Sequence, residues 1–140
     1  MPFTMEFIDH GRGIQFTGSG NLTGEEMIDS KHRLLADESK VRPLRFAIVS
    51  LVDVQHFDIT PTEVHKLAAL DKQVGELTPV VAVVVIAPRT HDFGMARMWE
   101  TILDVPGWSA SVVRSREEAD AWLAPRIAAA ASESPGRSPA

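Results

Sequence analysis

The chain has no cysteine among its 140 residues. That excludes a disulfide framework, a thiolate zinc site, an iron–sulfur cluster and a cysteine nucleophile, and it fits a reducing cytoplasm. A cationic excess is also missing. The formal charge is −5 and the basic residues are scattered, so counterion release has no surface to act on and nucleic acid is not an expected partner. Long hydrophobic runs are absent too: the longest, Val80 to Ala87, spans 8 residues, whereas a membrane helix takes about 20. The opening MPFTMEFIDH has neither the basic stretch nor the apolar core of an export signal, and a soluble cytoplasmic protein is expected. Neither a GxxxxGK[ST] phosphate loop, a GxSxG nucleophile elbow nor an HExxH zinc helix occurs.

What is present suits one ordinary globular domain, with 44% hydrophobic and 24% charged residues. The expected domain covers residues 1–131. Residues 132–140, SESPGRSPA, lack large apolar side chains and are expected to form a disordered tail.

Hydrophobic period places the elements. Phe3, Met5 and Phe7 alternate with polar residues, as do Ile14 and Phe16, which predicts two half-buried strands joined by a turn at His10–Gly13. Thr23-Gly24-Glu25-Glu26 has the form of a capping box, followed by Met27, Ile28, Leu34 and Leu35 at helical spacing. This first helix is expected to end near Glu38. Leu44 to Val52 reads as a strand buried on both faces, then Asp53 to Thr60 as an eight-residue connection. Thr60-Pro61-Thr62-Glu63 combines an N-cap, a first-turn proline and a capping glutamate, so a second helix starts there, with Val64, Leu67, Leu70, Val74 and Leu77 on one side. Val80 to Ala87 is a β-branched central strand, Phe93 to Leu103 a third helix, and Trp108, Ala110 and Val112 a last strand. Ser115-Arg116-Glu117-Glu118 opens a fourth helix that turns Ala119, Trp122 and Leu123 inward. The expected order is β-β-α-β-α-β-α-β-α: an α/β fold with a mixed, mostly parallel five-stranded sheet and four helices.

In such sheets ligands bind at the carboxyl ends of the strands. That edge would collect Ser19, Asn21, Asp53, His56, Asp58, Thr60, Arg89, Thr90 and His91. No helical ligand spacing appears among these, so neither a metal nor another cofactor is expected, and no catalytic residue is assigned. Ser50 lies inside a strand and makes a poor nucleophile. Gly18-Ser19-Gly20-Asn21-Leu22-Thr23-Gly24 has its third glycine one position late for a dinucleotide fingerprint and reads as a tight turn. Phe57 stands in a polar connection outside any periodic pattern, where it is either an inward plug or an exposed contact. Trp99 and Trp108 would suit a homodimer interface if exposed.

Several strings, in this order and spacing, resemble the SpoIIAA-like family, which is related to the STAS domain (sulfate transporter and anti-sigma factor antagonist) and more distantly to CRAL-TRIO lipid-transfer domains. They are Gly18-Ser19-Gly20-Asn21-Leu22-Thr23, Asp58-Ile59-Thr60-Pro61, Phe93-Gly94-Met95-Ala96-Arg97-Met98-Trp99 and Glu117-Glu118-Ala119-Asp120-Ala121-Trp122-Leu123. The resemblance implies a non-enzymatic interaction or regulatory module with a protein partner. In STAS antagonists an Asp-Ser-Ser-Gly segment opening the second helix carries a serine that a kinase phosphorylates. Thr60 is the counterpart here, with Ile59 in place of one serine and Pro61 in place of the glycine. The implied partner surface is the segment with His56, Phe57, Asp58 and Thr60. The lipid-transfer likeness implies the alternative, a small apolar ligand held by Phe93, Arg97 and Trp99.

Overall fold

The structure is a computed structural model and describes residues 2–132. Strand β1 (Phe3–Ile8) turns back on β2 (Gly13–Thr23) through Asp9, His10 and Gly11, all at positive φ. The two pair antiparallel, Phe3 opposite Gly18 and Ile8 opposite Gly13, and Phe3 stacks on Phe16 with ring centroids 5.5 Å apart. Next come α1 (Gly24–Leu35), a short α2 (Glu38–Val41), β3 (Phe46–Asp58) and α3 (Pro61–Leu77). The chain then forms β4 (Ala82–Ile86), α4 (Thr90–Ile102), β5 (Ser109–Val113) and α5 (Arg116–Ser132).

The strands lie in chain order, β1-β2-β3-β4-β5, and every pair after the first is parallel. Right-handed crossovers between strands that always step the same way put each connecting helix on the same face. Accordingly α1 packs on α3, and α3 on α4, while α5 crosses the other face over β4 and β5. Two cores result. Ile14, Phe16, Val49, Leu51, Val54 and Val85 belong to the three-helix side, and Phe46, Ile48, Ala82, Val84 and Ile86 meet Ala119 and Leu123 of α5. No helix among the described residues is long and apolar enough to cross a membrane.

The α/β class, the five-stranded mixed sheet and the antiparallel first strand are as the residue pattern implied. Details differ. Among the described residues there are five α-helices rather than four, because the chain breaks at Ala36 and Asp37 before resuming as α2. Helix α4 starts at Thr90, not Phe93, and β5 starts one residue after Trp108.

The largest correction concerns the glycine-rich segment and the polar connection. Gly18–Thr23 is not a turn, and Asp53–Asp58 is not a loop; they are the second halves of β2 and β3, hydrogen-bonded to each other. The register slips between Thr17 and Ser19 and again between Gly20 and Asn21, each slip adding one residue to β3 relative to β2. These bulges bring Leu51, Val54 and Phe57, spaced by three, into the same core. Gly20 takes φ +59 at the second slip, where any side chain is strained. At Gly18 a Cβ would lie 2.9 Å from Leu22 and Val54 side-chain atoms, so only glycine lets the strands pack here. Of the expected tail at 132–140, Ser132 is the last residue of α5, and 133–140 lie outside the described residues.

Candidate functional site

Strand β4 ends at Ile86, which pairs with Ser50, so β2 and β3 run on alone for several residues past the rest of the sheet. On the β4 side of this extension Arg89 Nη1 donates to the Val54 carbonyl at 3.1 Å, taking the place of a neighbouring strand's amide. Asp53, Gln55, His56, Asp58 and Thr60 are exposed along this ledge. Phe57 is not: it is 5% exposed and points into the three-helix core. It is the inward plug, and it leaves the partner-facing set for that reason.

Thr60 caps α3 as its sequence requires. Its hydroxyl accepts from the Glu63 amide at 3.2 Å, and Glu63 Oε1 accepts from the Thr60 amide at 2.9 Å. Thr23 and Glu26 repeat the box on α1. Since Thr23 pairs with Asp58, the two capped helix starts lie side by side at the end of the ledge.

Behind the ledge, Asp92 occupies the first turn of α4 with a fully buried side chain and no hydrogen bond to either carboxylate oxygen. Burial pushes its pKa above the ordinary carboxylate value, while the charges of Arg89, His91 and His56 pull it back. Arg89 Nε stands 3.9 Å from Asp92 Oδ2. No trio of metal-ligating side chains forms among the described residues. Ser19 and Asn21 lie on the same edge, exposed, with the Ser19 amide donating to the Pro2 carbonyl at 2.8 Å. Thr90 and His91 belong to the first turn of α4 rather than to a loop.

Phe93, Arg97 and Trp99 do not converge. Phe93 lies under the Arg114 guanidinium, 4.1 Å from its ring centre. Arg97 is exposed and paired with Glu100 at 3.2 Å. Trp99 turns inward, its indole N–H donating to Asp71 Oδ2 at 2.8 Å, and Trp108 likewise donates to the Thr78 carbonyl at 2.9 Å. Both tryptophans are half-buried.

A different space does exist. Between the sheet and the layer of α1, α3 and α4 lies a cavity of about 80 Å³, whose walls include Phe16, Met27, Phe57, Met95, Ala96 and Trp99. One part of its wall is charged: Lys31 Nζ of α1 stands 2.9 Å from Asp71 Oδ1 of α3 and 4.7 Å from the centre of the Phe16 ring. The signal for this pair was in the helical spacing, since Lys31 is four residues after Met27 and Asp71 four after Leu67, charged residues at core positions.

No family model matches the chain, and no curated protein does. Among solved structures, the chain is similar to an uncharacterized protein of the DUF3478 family with a SpoIIAA-like fold from Shewanella loihica PV-4. The identity is 15%, the TM-score 0.54, and the match covers 86% of this chain and 91% of that one. It is also similar to the anti-sigma factor antagonist SpoIIAA in its unphosphorylated form, at 10% identity and TM-score 0.50, over 86% of this chain and 96% of that one. A sheet in chain order with α1, α3 and α4 on one face and α5 on the other, matched over most of both solved structures, is the SpoIIAA-like fold.

Proposed function

We propose that this protein is a non-enzymatic interaction or regulatory module of the SpoIIAA/STAS type that engages a protein partner through the end of β3 and the start of α3. The observation that carries the reading is the ledge: Asp53, His56, Asp58 and Thr60 are exposed on a paired strand and a capped helix start rather than on a loose loop. A backbone already fixed by a strand ladder loses little further freedom on docking. One of the similar structures is named an anti-sigma factor antagonist and an unphosphorylated form, which supports a regulatory partner and a modifiable hydroxyl at Thr60. A phosphate there would sit beside the positive end of α3 and would also meet the Glu63 carboxylate that now completes the cap.

The test is a photo-crosslinking amino acid placed at Gln55 in the native cell, with Asp120 on α5 as the control position. The ledge position should trap one protein that Asp120 does not, and Asp58→Lys should abolish the adduct. Identical adducts from both positions, or none from Gln55, would remove the reading.

A second reading, a binder of a small apolar ligand, is favoured by the cavity between the sheet and the three helices. Its place is the interior, and of Phe93, Arg97 and Trp99 only Trp99 lines it.

A further inference from the structure

We propose that the edge of β3 beyond its pairing with β4, residues 52–58, takes up an extended, basic segment of a protein partner as an added strand. This rests on the reading of the ledge as the docking surface and adds the form and the charge of what docks.

Strand β4 stops opposite Ser50, while β3 continues to Asp58 with β2 as its strand neighbour on one side. An edge without a neighbour presents a row of backbone N–H and C=O groups, a template on which another chain can pair. Among the described residues no loop backbone bonds to this edge, and one side chain does: Arg89 Nη1 donates to the Val54 carbonyl at 3.1 Å. A donor already held at that carbonyl marks a place where the amide of an added strand fits. Arg89 can also give way. Its side chain is 46% exposed, so water can replace the carbonyl as its partner when the guanidinium swings out.

Backbone pairing accepts any sequence, so the side chains along the edge decide which strand is taken. From Val52 to Glu63 the chain carries the carboxylates Asp53, Asp58 and Glu63 and neither lysine nor arginine. Glu25 and Glu26 of α1 stand beside the same end, because Thr23 pairs with Asp58. Asp53 and Asp58 are exposed, and the Arg89 charge is turned toward Asp92, 3.9 Å away. An acidic edge opposes pairing with a second copy of itself and favours a segment that brings lysine or arginine. Val52, 49% exposed, adds an apolar foothold where the edge begins. The fitting occupant is therefore an extended segment that mixes basic and β-branched residues.

The experiment uses the intact chain labelled with 15N and, as probe, a short capped peptide in which lysine alternates with valine. Binding should shift the amide signals of residues 52–58 saturably and slow hydrogen exchange at those amides that face away from β2. Two further versions of the peptide carry N-methyl groups on one or the other alternate set of amides. One should bind as the parent does and the other should not bind, because a strand bonds to its neighbour through every second residue. Glutamate in place of lysine should weaken binding about tenfold or more. Arg89→Met with Asp92→Asn vacates the Val54 carbonyl and leaves no lone buried carboxylate; it should tighten binding about threefold to tenfold, the value of one competing hydrogen bond. Absence of binding by the lysine peptide, or like behaviour of the two methylated versions, overturns strand addition. The docking reading then stands if the crosslinker at Gln55 still traps its protein, and falls too if it does not. Protection of residues 52–58 that grows with protein concentration in the absence of peptide would assign the edge to a second copy and overturn the proposal as well. Equal binding of the lysine and glutamate peptides overturns the basic character alone.

Discussion

Under α5 the sheet presents Phe46, Ile48, Ala82, Val84 and Ile86, and the helix answers with Ala119 and Leu123 in direct apolar contact. On the opposite face three helices cover a wider area, and there the interior holds the buried carboxylates Asp71 and Asp92 and the cavity. The contrast has a physical origin. A single helix over an apolar sheet face has only the sheet to meet. Three helices must meet the sheet and each other at once, and Lys31, Asp71 and Trp99 tie α1, α3 and α4 together across the space that remains. Buried charge is weak evidence for stability, because an apolar replacement of the whole pair is often as stable.

The sharpest way to break this contrast is to remove one half of the pair. Asp71→Leu strands Lys31 and the Trp99 indole without their acceptor, and should cost about 3–5 kcal/mol in urea unfolding. The paired change Lys31→Met with Asp71→Leu should restore most of that loss. If the double variant is as unstable as the single one, the pair is structural and the two faces are alike in kind.

A second effect is expected at Asp92. Its pKa is raised in the folded state by burial, so the native protein holds this proton more tightly than the unfolded chain. The stability this provides is fully present below the unfolded value near 3.8 and is lost as the pH rises through the raised folded value. Asp92→Asn cannot ionise and should remove that decline, leaving a flatter profile and a more stable protein at neutral pH. Unfolding measured in urea from pH 4 to pH 8 checks it, and an unchanged slope would show that Arg89, His56 and His91 already neutralise the carboxylate.

The smallest effect belongs to the ledge. Thr60→Ala removes the acceptor for the Glu63 amide and should cost about 1 kcal/mol, while Thr60→Asp, which also caps, should cost less. Thermal unfolding of the two variants side by side distinguishes a cap from a residue with no local role.

Legibility followed the range of the interactions. The capping boxes at Thr23, Thr60 and Ser115 are written in four consecutive residues each; the first two form in full, and at Ser115 the hydroxyl accepts from the Glu118 amide while Glu118 Oε1 accepts from the Arg114 amide instead of that of Ser115. The β-branched run at β4 declared a buried strand in the same local way. The ledge was hidden because Leu51, Val54 and Phe57 are spaced by three, a period that belongs to no regular strand. Two bulges create that spacing, and they exist only because β2 and β3 lie side by side. Phe57 looked like a lone hydrophobe for the same reason.

Local hydrogen bonding and hydrophobic period therefore determined the capped starts of α1, α3 and α5, the β4 strand, the antiparallel first hairpin and the α/β class. Tertiary structure alone decided the extension of β2 and β3, the inward turn of Trp108, and the meeting of Lys31 with Asp71 some forty residues away. A cap is satisfied by neighbours in the chain, whereas a bulge, a cavity or a buried ion pair depends on which surfaces the crossovers bring face to face.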